Sequence, residues 1–255
     1  MTDALRTHLA QAARELAARG LTTSTGGNLS HRLGSSQAHS QQLQGFLVSG
    51  TNTAFARQQP QDFAECDLHG GPVLGVVPIS DDKTAAEHLG PRPSKEAAFH
   101  AAIYRTRPEV CAVLHLHATD SLTLSCLAAP TEEGNVLPVH SSYAVTRVGR
   151  VPLLPYLPPG GGALAQAVER NCRDVQALLL QNHGVITYGR SLEEAGDILE
   201  ELEQNVRVWL RSQGQARVLD DAELLDANAR ATHGAAIAPG EQRPRLLAHV
   251  QGWTP

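Results

Sequence analysis

Apolar and polar positions along this chain follow two periods, and the switches between them lay out its elements. Leu5, Leu9, Ala12 and Leu16 recur at helical spacing with Gly20 as a stop, so a helix is expected over 3–19. A turn of small residues, Thr22 to Gly27, runs into a strand that ends near Leu33. Residues 46–50 repeat the theme, an apolar strand closing on Ser49-Gly50-Thr51. Residues 52–63 read as loop with one helical turn after Pro60, 67–77 as a hairpin about Gly70-Gly71, and 78–93 as a proline-punctuated surface loop. Pro93-Ser94 opens a helix to about Arg107, with Ser94 as its N-cap.

The second half follows the same logic. A strand over 112–117 precedes a helix from Thr119, its cap, to about Ala129. Residues 130–160 read as loop and short strands, among them 143–149 and 151–155. The Pro-Pro-Gly-Gly-Gly run at 158–162 breaks the chain before a helix at 163–171, and strands follow at 175–180 and 185–188. Ser191-Leu-Glu-Glu194 is a capping box. It starts a long helix whose apolar stripe is Leu192, Ala195, Leu199, Leu202, Val206 and Trp209. That stripe offers more apolar surface than one subunit need cover, which points to a homo-oligomer. The pattern weakens from Gly214 on, where Pro239 and Pro244 argue against a compact unit. Strands alternating irregularly with helices imply one α/β domain with a mixed sheet. We divide the chain into a domain over 1–213 and a tail over 214–255 that packs on it or on a neighbouring subunit.

The alternation matters most at Ala112-Val-Leu-His-Leu-His117. On a strand, residues two apart share a face, so His115 and His117 point the same way. Two imidazoles bind a metal weakly, and a third from another strand would complete a site with one open position. His183, ending the apolar run 175–180 just before Gly184, is the candidate. With twelve histidines in the chain, an H-x-H on a strand also arises by chance, and the motif alone leaves both readings open.

Composition narrows the class. The chain has 255 residues, enough for one full core, with 42% hydrophobic and 18% charged residues, ordinary for a soluble globular protein. A net charge of −5 with no basic block gives no support for nucleic-acid binding. No apolar run approaches a membrane span. Cys66, Cys111, Cys126 and Cys172 lack C-x-x-C spacing and read as free thiols in a reducing compartment. Acidic residues in the first helix, Asp3 and Glu15, do not suit a targeting peptide, so a cytoplasmic protein is expected.

Two further stretches suit an anion. Gly26 and Gly27 let the backbone approach a ligand while Thr25 and Asn28 offer short polar donors, an arrangement that serves either a phosphate or an ordinary hairpin. Lys95 adds an ammonium to the N–H groups at the start of the 94–107 helix. Glu96 beside it shares a face with His100, although acidic residues are common in first turns anyway.

Taken in order, Thr23-Ser-Thr-Gly-Gly-Asn-Leu-Ser30, Val48-Ser-Gly-Thr51, Pro93-Ser-Lys-Glu-Ala97, His115-Leu-His-Ala118 and Gln181-Asn-His-Gly184 resemble the class II aldolase/adducin family over roughly residues 5–213. The resemblance implies a three-layer α/β/α domain around a mixed, largely antiparallel sheet, a tetramer, and zinc on His115, His117 and His183. It implies Glu96 as catalytic acid/base and Thr25, Asn28, Ser49, Gly50, Ser94 and Lys95 as the substrate phosphate-binding set. The catalytic tyrosine of the aldolases has its nearest counterpart in Tyr143. Within the family, Ser94-Lys-Glu-Ala97, Ala102-Ile-Tyr-Arg105, Arg147-Val-Gly149, Leu154-Pro-Tyr156 and Glu200-Glu-Leu-Glu203 are most similar to the 3-oxo-tetronate 4-phosphate decarboxylases. Two stretches depart from that subgroup. Ala118-Thr119-Asp120 stands where it tends to carry serine, threonine and histidine, and Pro158-Pro-Gly-Gly161 where it tends to carry Arg-Pro-Gly-Asp.

The expected activity is then zinc-dependent carbon–carbon lysis of a small phosphorylated keto sugar acid through an enediolate. The alternatives are a sugar-phosphate aldolase, a ribulose-phosphate 4-epimerase and, more remotely, a metal-binding scaffold. Retention of all three histidines and Glu96 counts against the scaffold. A cupin also uses H-x-H, but the helices expected here do not suit a nearly all-strand fold. A metallo-β-lactamase site would read H-x-H-x-D-H, and His117-Ala-Thr-Asp-Ser121 is out of register with it.

Overall fold

The computed structural model describes residues 2–34, 45–73, 91–232 and 234–250. Seven strands form one sheet in the order β3-β2-β1-β4-β7-β6-β5. They are β1 (Asn28–Leu33), β2 (Gly45–Ser49), β3 (Phe63–Asp67), β4 (Ala112–Leu116), β5 (Leu153–Leu154), β6 (Ala177–Leu180) and β7 (Gly184–Gly189). All neighbours are antiparallel except β5 and β6, so the sheet is mixed and largely antiparallel as expected.

Strand alternation splits the core into two layers. Leu114 and Leu116 of β4 enter one cluster with Leu29, Val185 and the helices α1 (Thr2–Ala18), α3 (Thr119–Leu127), α5 (Leu192–Arg211) and α6 (Asp221–Arg230). Val113, Ile186, Phe46 and Val48 enter the other with α2 (Ala97–Thr106) and α4 (Gly162–Asn171). Burying a side chain of this size is worth about 1.5–3 kcal/mol, so a one-residue slip of β4 would cost several such burials at once. His115 and His117 are thereby held on the α2 side.

Several local expectations need correction. Residues 143–149 are not a strand: Ala144–Val148 coils as a π-helical turn, closed by the Gly149 N–H donating to the Ala144 carbonyl at 2.9 Å. The β-branched Val145, Thr146 and Val148 suggest a strand, but the coil buries Ala144, Val145 and Val148 together, and Gly149 at φ +74° ends it. Phe63–Asp67, partly assigned to loop, is the edge strand β3, made by pairing with β2 and not by its own weak β-formers. The hairpin about Gly70-Gly71 is present through a Cys66–Pro72 bridge and the Val73 N–H on the Glu65 carbonyl, while its far end at 74–77 and the loop at 78–90 lie outside the described residues. The tail holds α6, opened by a capping box between Asp220 and Glu223 and burying Leu224 and Ala227.

Two helix starts also move. The α2 helix begins at Ala97, because Ser94-Lys95-Glu96 forms a turn in which the Ser94 hydroxyl accepts the Glu96 N–H at 3.2 Å. Thr119 does not cap α3. The buried Glu203 of α5 does so from across the fold, accepting the N–H groups of Asp120 and Ser121 at 3.2 and 2.8 Å. The α5 stripe lies where expected, and all six of its residues are buried within this single chain. It is therefore no argument for an oligomer. Among the described residues, the large apolar ones left exposed are Tyr143, Tyr156, Val208 and Leu225. No described helix is long and apolar enough to cross a membrane, and all four cysteines are free.

Candidate metal centre

The three sequence-predicted histidines meet at one end of the sheet. His115 is fully buried on β4, and His117 follows as that strand ends. His183 arrives on the three-residue turn between β6 and β7, with Asn182 in the left-handed region at φ 55° and the His183 N–H on the Leu180 carbonyl at 3.1 Å. One nitrogen from each ring lies within 4.8 Å of the others. Two glycines make room for this. A Cβ at Gly184 would lie 2.5 Å from the Leu116 carbonyl oxygen and 3.3 Å from His115 Cε1. At Gly27, with φ +90°, a Cβ would stand 2.3 Å from the His115 carbonyl oxygen. Neither position accepts a side chain without moving the strand that carries the ligands.

Glu96 reaches this cluster from the turn before α2. Its Oε2 lies 3.3 Å from His115 Nε2 and its Oε1 3.3 Å from His183 Nε2. Such distances ordinarily suggest ion pairs, but the protonation states argue otherwise. Burial pushes His115 down to about 3, with His117 adding to the effect, and burial also lowers His183 to about 4. His117 is lowered as well, again chiefly by burial. All three rings are thus neutral at pH 7. His115 Nδ1 faces the Val185 carbonyl at 3.0 Å, so the ring's hydrogen sits there and Nε2 carries a bare lone pair. That lone pair and the Glu96 carboxylate face one another as two acceptors, and neither His115 Nε2 nor Glu96 Oε1 has a hydrogen-bond partner among the described residues.

Buried acceptors facing each other across 3.3 Å are unfavourable unless a cation lies close by. The donor set fits a divalent ion: neutral imidazole nitrogens, one of them held by a backbone carbonyl through its other nitrogen, as metal-ligating histidines commonly are. His115, His117 and His183 would hold the ion, leaving a position open beside Glu96.

A cleft of about 230 Å³ opens onto this point. Thr25, Asn28, Gly50, Ser94, Lys95, Glu96, His117 and His183 all line it, so residues far apart in sequence converge on one surface. Gly27, Thr51, Asn52, Thr53 and Pro159 line it too. Of these, Asn52 and Thr53 were not singled out from sequence, although an asparagine after Gly50-Thr51, here at φ 60°, is a recognisable turn signal. Pro159 belongs to the proline–glycine run read there as a break and as a departure from the decarboxylase subgroup.

Two predicted residues stand elsewhere. Ser49 is buried and off the cleft. Its hydroxyl accepts the Leu29 N–H at 3.1 Å, and its carbonyl accepts the Ser94 N–H at 2.9 Å, so it seats Ser94 without facing a ligand itself. Tyr143 is 57% exposed and lines a separate cleft with Arg147, Glu201 and Val208 on the α5 side of the sheet. Within one chain it does not join the histidines.

Comparison with known proteins agrees with this fold. A family model described as the class II aldolase and adducin N-terminal domain matches residues 7–210. A 3-oxo-tetronate 4-phosphate decarboxylase of Haemophilus influenzae is 34% identical over 232 residues, covering 90% of this chain and 99% of the relative. The crystal structure of YgbL from Escherichia coli, described as a candidate aldolase/epimerase/decarboxylase, superposes with a TM-score of 0.76 at 31% identity, covering 89% of this chain and 99% of that one. An L-fuculose 1-phosphate aldolase superposes with a TM-score of 0.68 at 25% identity over 88% of this chain and 93% of its own.

Proposed function

This chain belongs to the class II aldolase and adducin family, and on that premise we propose that it is a zinc-dependent lyase that decarboxylates a 3-oxo-tetronate 4-phosphate. The observation that carries the reading is the carboxylate of Glu96 set against the bare Nε2 of His115 and the Nε2 of His183 at the mouth of a cleft with anion-binding groups. A relative of nearly the same length named for this reaction supports it.

A divalent ion on neutral imidazoles keeps its full charge, and it supplies electron withdrawal from substrate oxygens. The remaining work falls to the chain's own residues. In a 3-oxo-tetronate the bond between C1 and C2 breaks, carbon dioxide leaves, and its electron pair stays on C2, conjugated with the C3 carbonyl. A proton must then reach C2, giving dihydroxyacetone phosphate. Glu96 is the group placed to deliver it. Its Oε2 accepts from Asn28 Nδ2 at 2.8 Å, which fixes the carboxylate's direction. The phosphate is held by Thr25, Gly50, Ser94 and the second amide hydrogen of Asn28, with Lys95 supplying charge. Lys95 has no carboxylate partner among the described residues, and Gly160 packs so closely that a Cβ there would lie 3.2 Å from Lys95 Cβ. Binding energy at this remote end serves to orient the reacting carbon.

The expected result is release of carbon dioxide and dihydroxyacetone phosphate from 3-oxo-tetronate 4-phosphate by the zinc-loaded protein. Lys95→Met should raise the Michaelis constant for the phosphorylated substrate far more than for its unphosphorylated analogue. An unchanged ratio would remove Lys95 from phosphate recognition. A second reading, aldol cleavage of a sugar phosphate, is favoured by the likeness to the fuculose phosphate aldolase. It wins if fuculose phosphate is cleaved while no 3-oxo acid phosphate loses carbon dioxide.

We also infer a cytoplasmic homo-oligomer, a tetramer on the family resemblance. Tyr143 and Val208 are exposed together on one cleft, and Tyr143 can serve an active site only from a neighbouring subunit. Light scattering at micromolar concentration should give about four chain masses, and a clean monomer would end this reading.

A further inference from the structure

Behind Asn28 lies a row of buried polar side chains, Ser30, His100 and Tyr104, that the reaction as described does not use. Asn28 and Ser30 sit two apart on β1, and His100 and Tyr104 four apart on α2, so each pair faces the other across the layer. The Tyr104 hydroxyl is 2.8 Å from Ser30 Oγ, which is 2.7 Å from His100 Nδ1. His100 Nε2 meets Asn28 Oδ1, and Asn28 Nδ2 meets Glu96 Oε2 at 2.8 Å. Ser30 and His100 are 0% exposed and Tyr104 is 1% exposed, so water does not complete these bonds.

The hydrogens along the row can be assigned one by one. A carboxylate only accepts, so the NH2 of Asn28 faces Glu96 and its oxygen faces His100. That oxygen also only accepts, so His100 Nε2 carries a hydrogen. Burial holds His100 far below its ordinary value, with the nearby His115 adding to the effect, and the ring is neutral. Its Nδ1 is therefore bare and takes the hydrogen of Ser30. Ser30 has then given its only hydrogen and must accept from Tyr104, whose other partner, the Cys111 carbonyl, is more distant at 3.4 Å. Every donor in the row points toward Glu96.

We propose that Tyr104, Ser30 and His100 are positioning residues that lock the Asn28 amide in one orientation and thereby aim the Glu96 carboxylate. The proposal rests on the reading of Glu96 as the group that moves the proton. An asparagine amide turned by 180° keeps its shape but would set its oxygen against the carboxylate. The carboxylate itself disfavours that turn, and the His100 N–H facing the amide oxygen adds a second bond that the turn would break. Hydrogen bonds in series polarise one another, so loss of the outer members weakens the one that touches Glu96. The plainer alternative is that the row only satisfies buried polar groups between α2 and β1. In that case its loss would cost stability and would not depend on Asn28.

The first test reads the ring directly. In ¹⁵N-labelled, zinc-loaded protein, His100 should show a protonated Nε2 and an unprotonated Nδ1, and the opposite tautomer overturns the proposal. The second is kinetic. Tyr104→Phe and Ser30→Ala each remove one hydroxyl and leave the shape. His100→Leu removes the whole link, and His100→Gln returns a donor at the Nε2 position. We expect His100→Leu to lower kcat about tenfold with KM nearly unchanged, a fraction of the ~10²-fold that a 1 Å misplacement costs, and His100→Gln to recover most of it. The two hydroxyl deletions should lower kcat by smaller factors. In an Asn28→Ala background, all four should change kcat by less than about twofold, since residues acting through one group are not additive. Equal losses in both backgrounds overturn the proposal, and the hydroxyl deletions decide the matter even if His100→Leu does not fold. Undiminished turnover in Glu96→Gln would overturn both this proposal and the function it rests on, whereas a wrong tautomer with Glu96→Gln inactive would overturn this one alone.

Discussion

Glu96→Gln is expected to retain its metal and to lose about 10²–10⁴-fold in turnover, the usual contribution of a general acid–base group. The amide can keep its oxygen toward Asn28, preserving the 2.8 Å hydrogen bond that orients the side chain. Its NH2 then occupies the place of Oε1, 3.3 Å from His183 Nε2. What the amide cannot do is take up and return a proton at that point. Because the three imidazoles are untouched, metal content measured on the dialysed variant should equal that of the wild type. The comparison therefore separates a lost proton shuttle from a lost ion. Wild-type turnover in this variant would remove Glu96 from the mechanism. Loss of both metal and turnover would make it a ligand first.

The second large effect is expected at His183. His183→Ala should reduce bound zinc from one equivalent to near none after dialysis, and activity should fall with it. His115 on β4 and His117 just after it stay paired in the variant, but two imidazoles make a weak site. The loss should exceed the roughly 10–100-fold seen when only an outer partner of a ligand is removed. His183 Nδ1 has no hydrogen-bond partner among the described residues, so its removal breaks no bond of the fold. The metal-free variant should accordingly unfold much like the metal-free wild type. Added zinc at a hundred times its dissociation constant should stabilise the wild type by about 2.7 kcal/mol and the variant scarcely at all. A variant that still binds one zinc as tightly would place the ion elsewhere.

Much of this protein follows from local pattern. Alternation alone puts His115 on one face of β4 and aims His117, just past its end, the same way, because residues two apart on a pleat share a face. The spacing of Leu192, Ala195, Leu199 and Leu202 specifies α5, and a serine three residues before a glutamate specifies its start, since both depend only on neighbours within a turn or two. The glycines beside Asn28 and His183 mark close approach before any approaching atom is known. Order along the chain, read as a family resemblance, then brings Glu96, Lys95 and the turn at Thr25 to the same site.

Other features depend on contacts that no local period encodes. The β3 strand exists because β2 offers it a free edge, and Ala144–Val148 coils because α5 and α6 bury one side of it. Glu203, in the middle of a helix, carries no local sign of a cap, yet α3 begins against it. Ser49 reads as a phosphate ligand, yet its hydroxyl accepts the Leu29 N–H, and Tyr143 reads as a catalytic tyrosine, yet within one chain it lies on the α5 side, away from the histidines. The same holds for Ser30, His100 and Tyr104. In sequence they are a strand serine and two residues of an apolar helix face. The antiparallel register of β1 on β4, which sets Asn28 opposite His115, makes them the inner wall of the site. Side-chain direction is a local property of the backbone, whereas what a side chain meets is decided by pairing across many residues, and only the folded sheet supplies that.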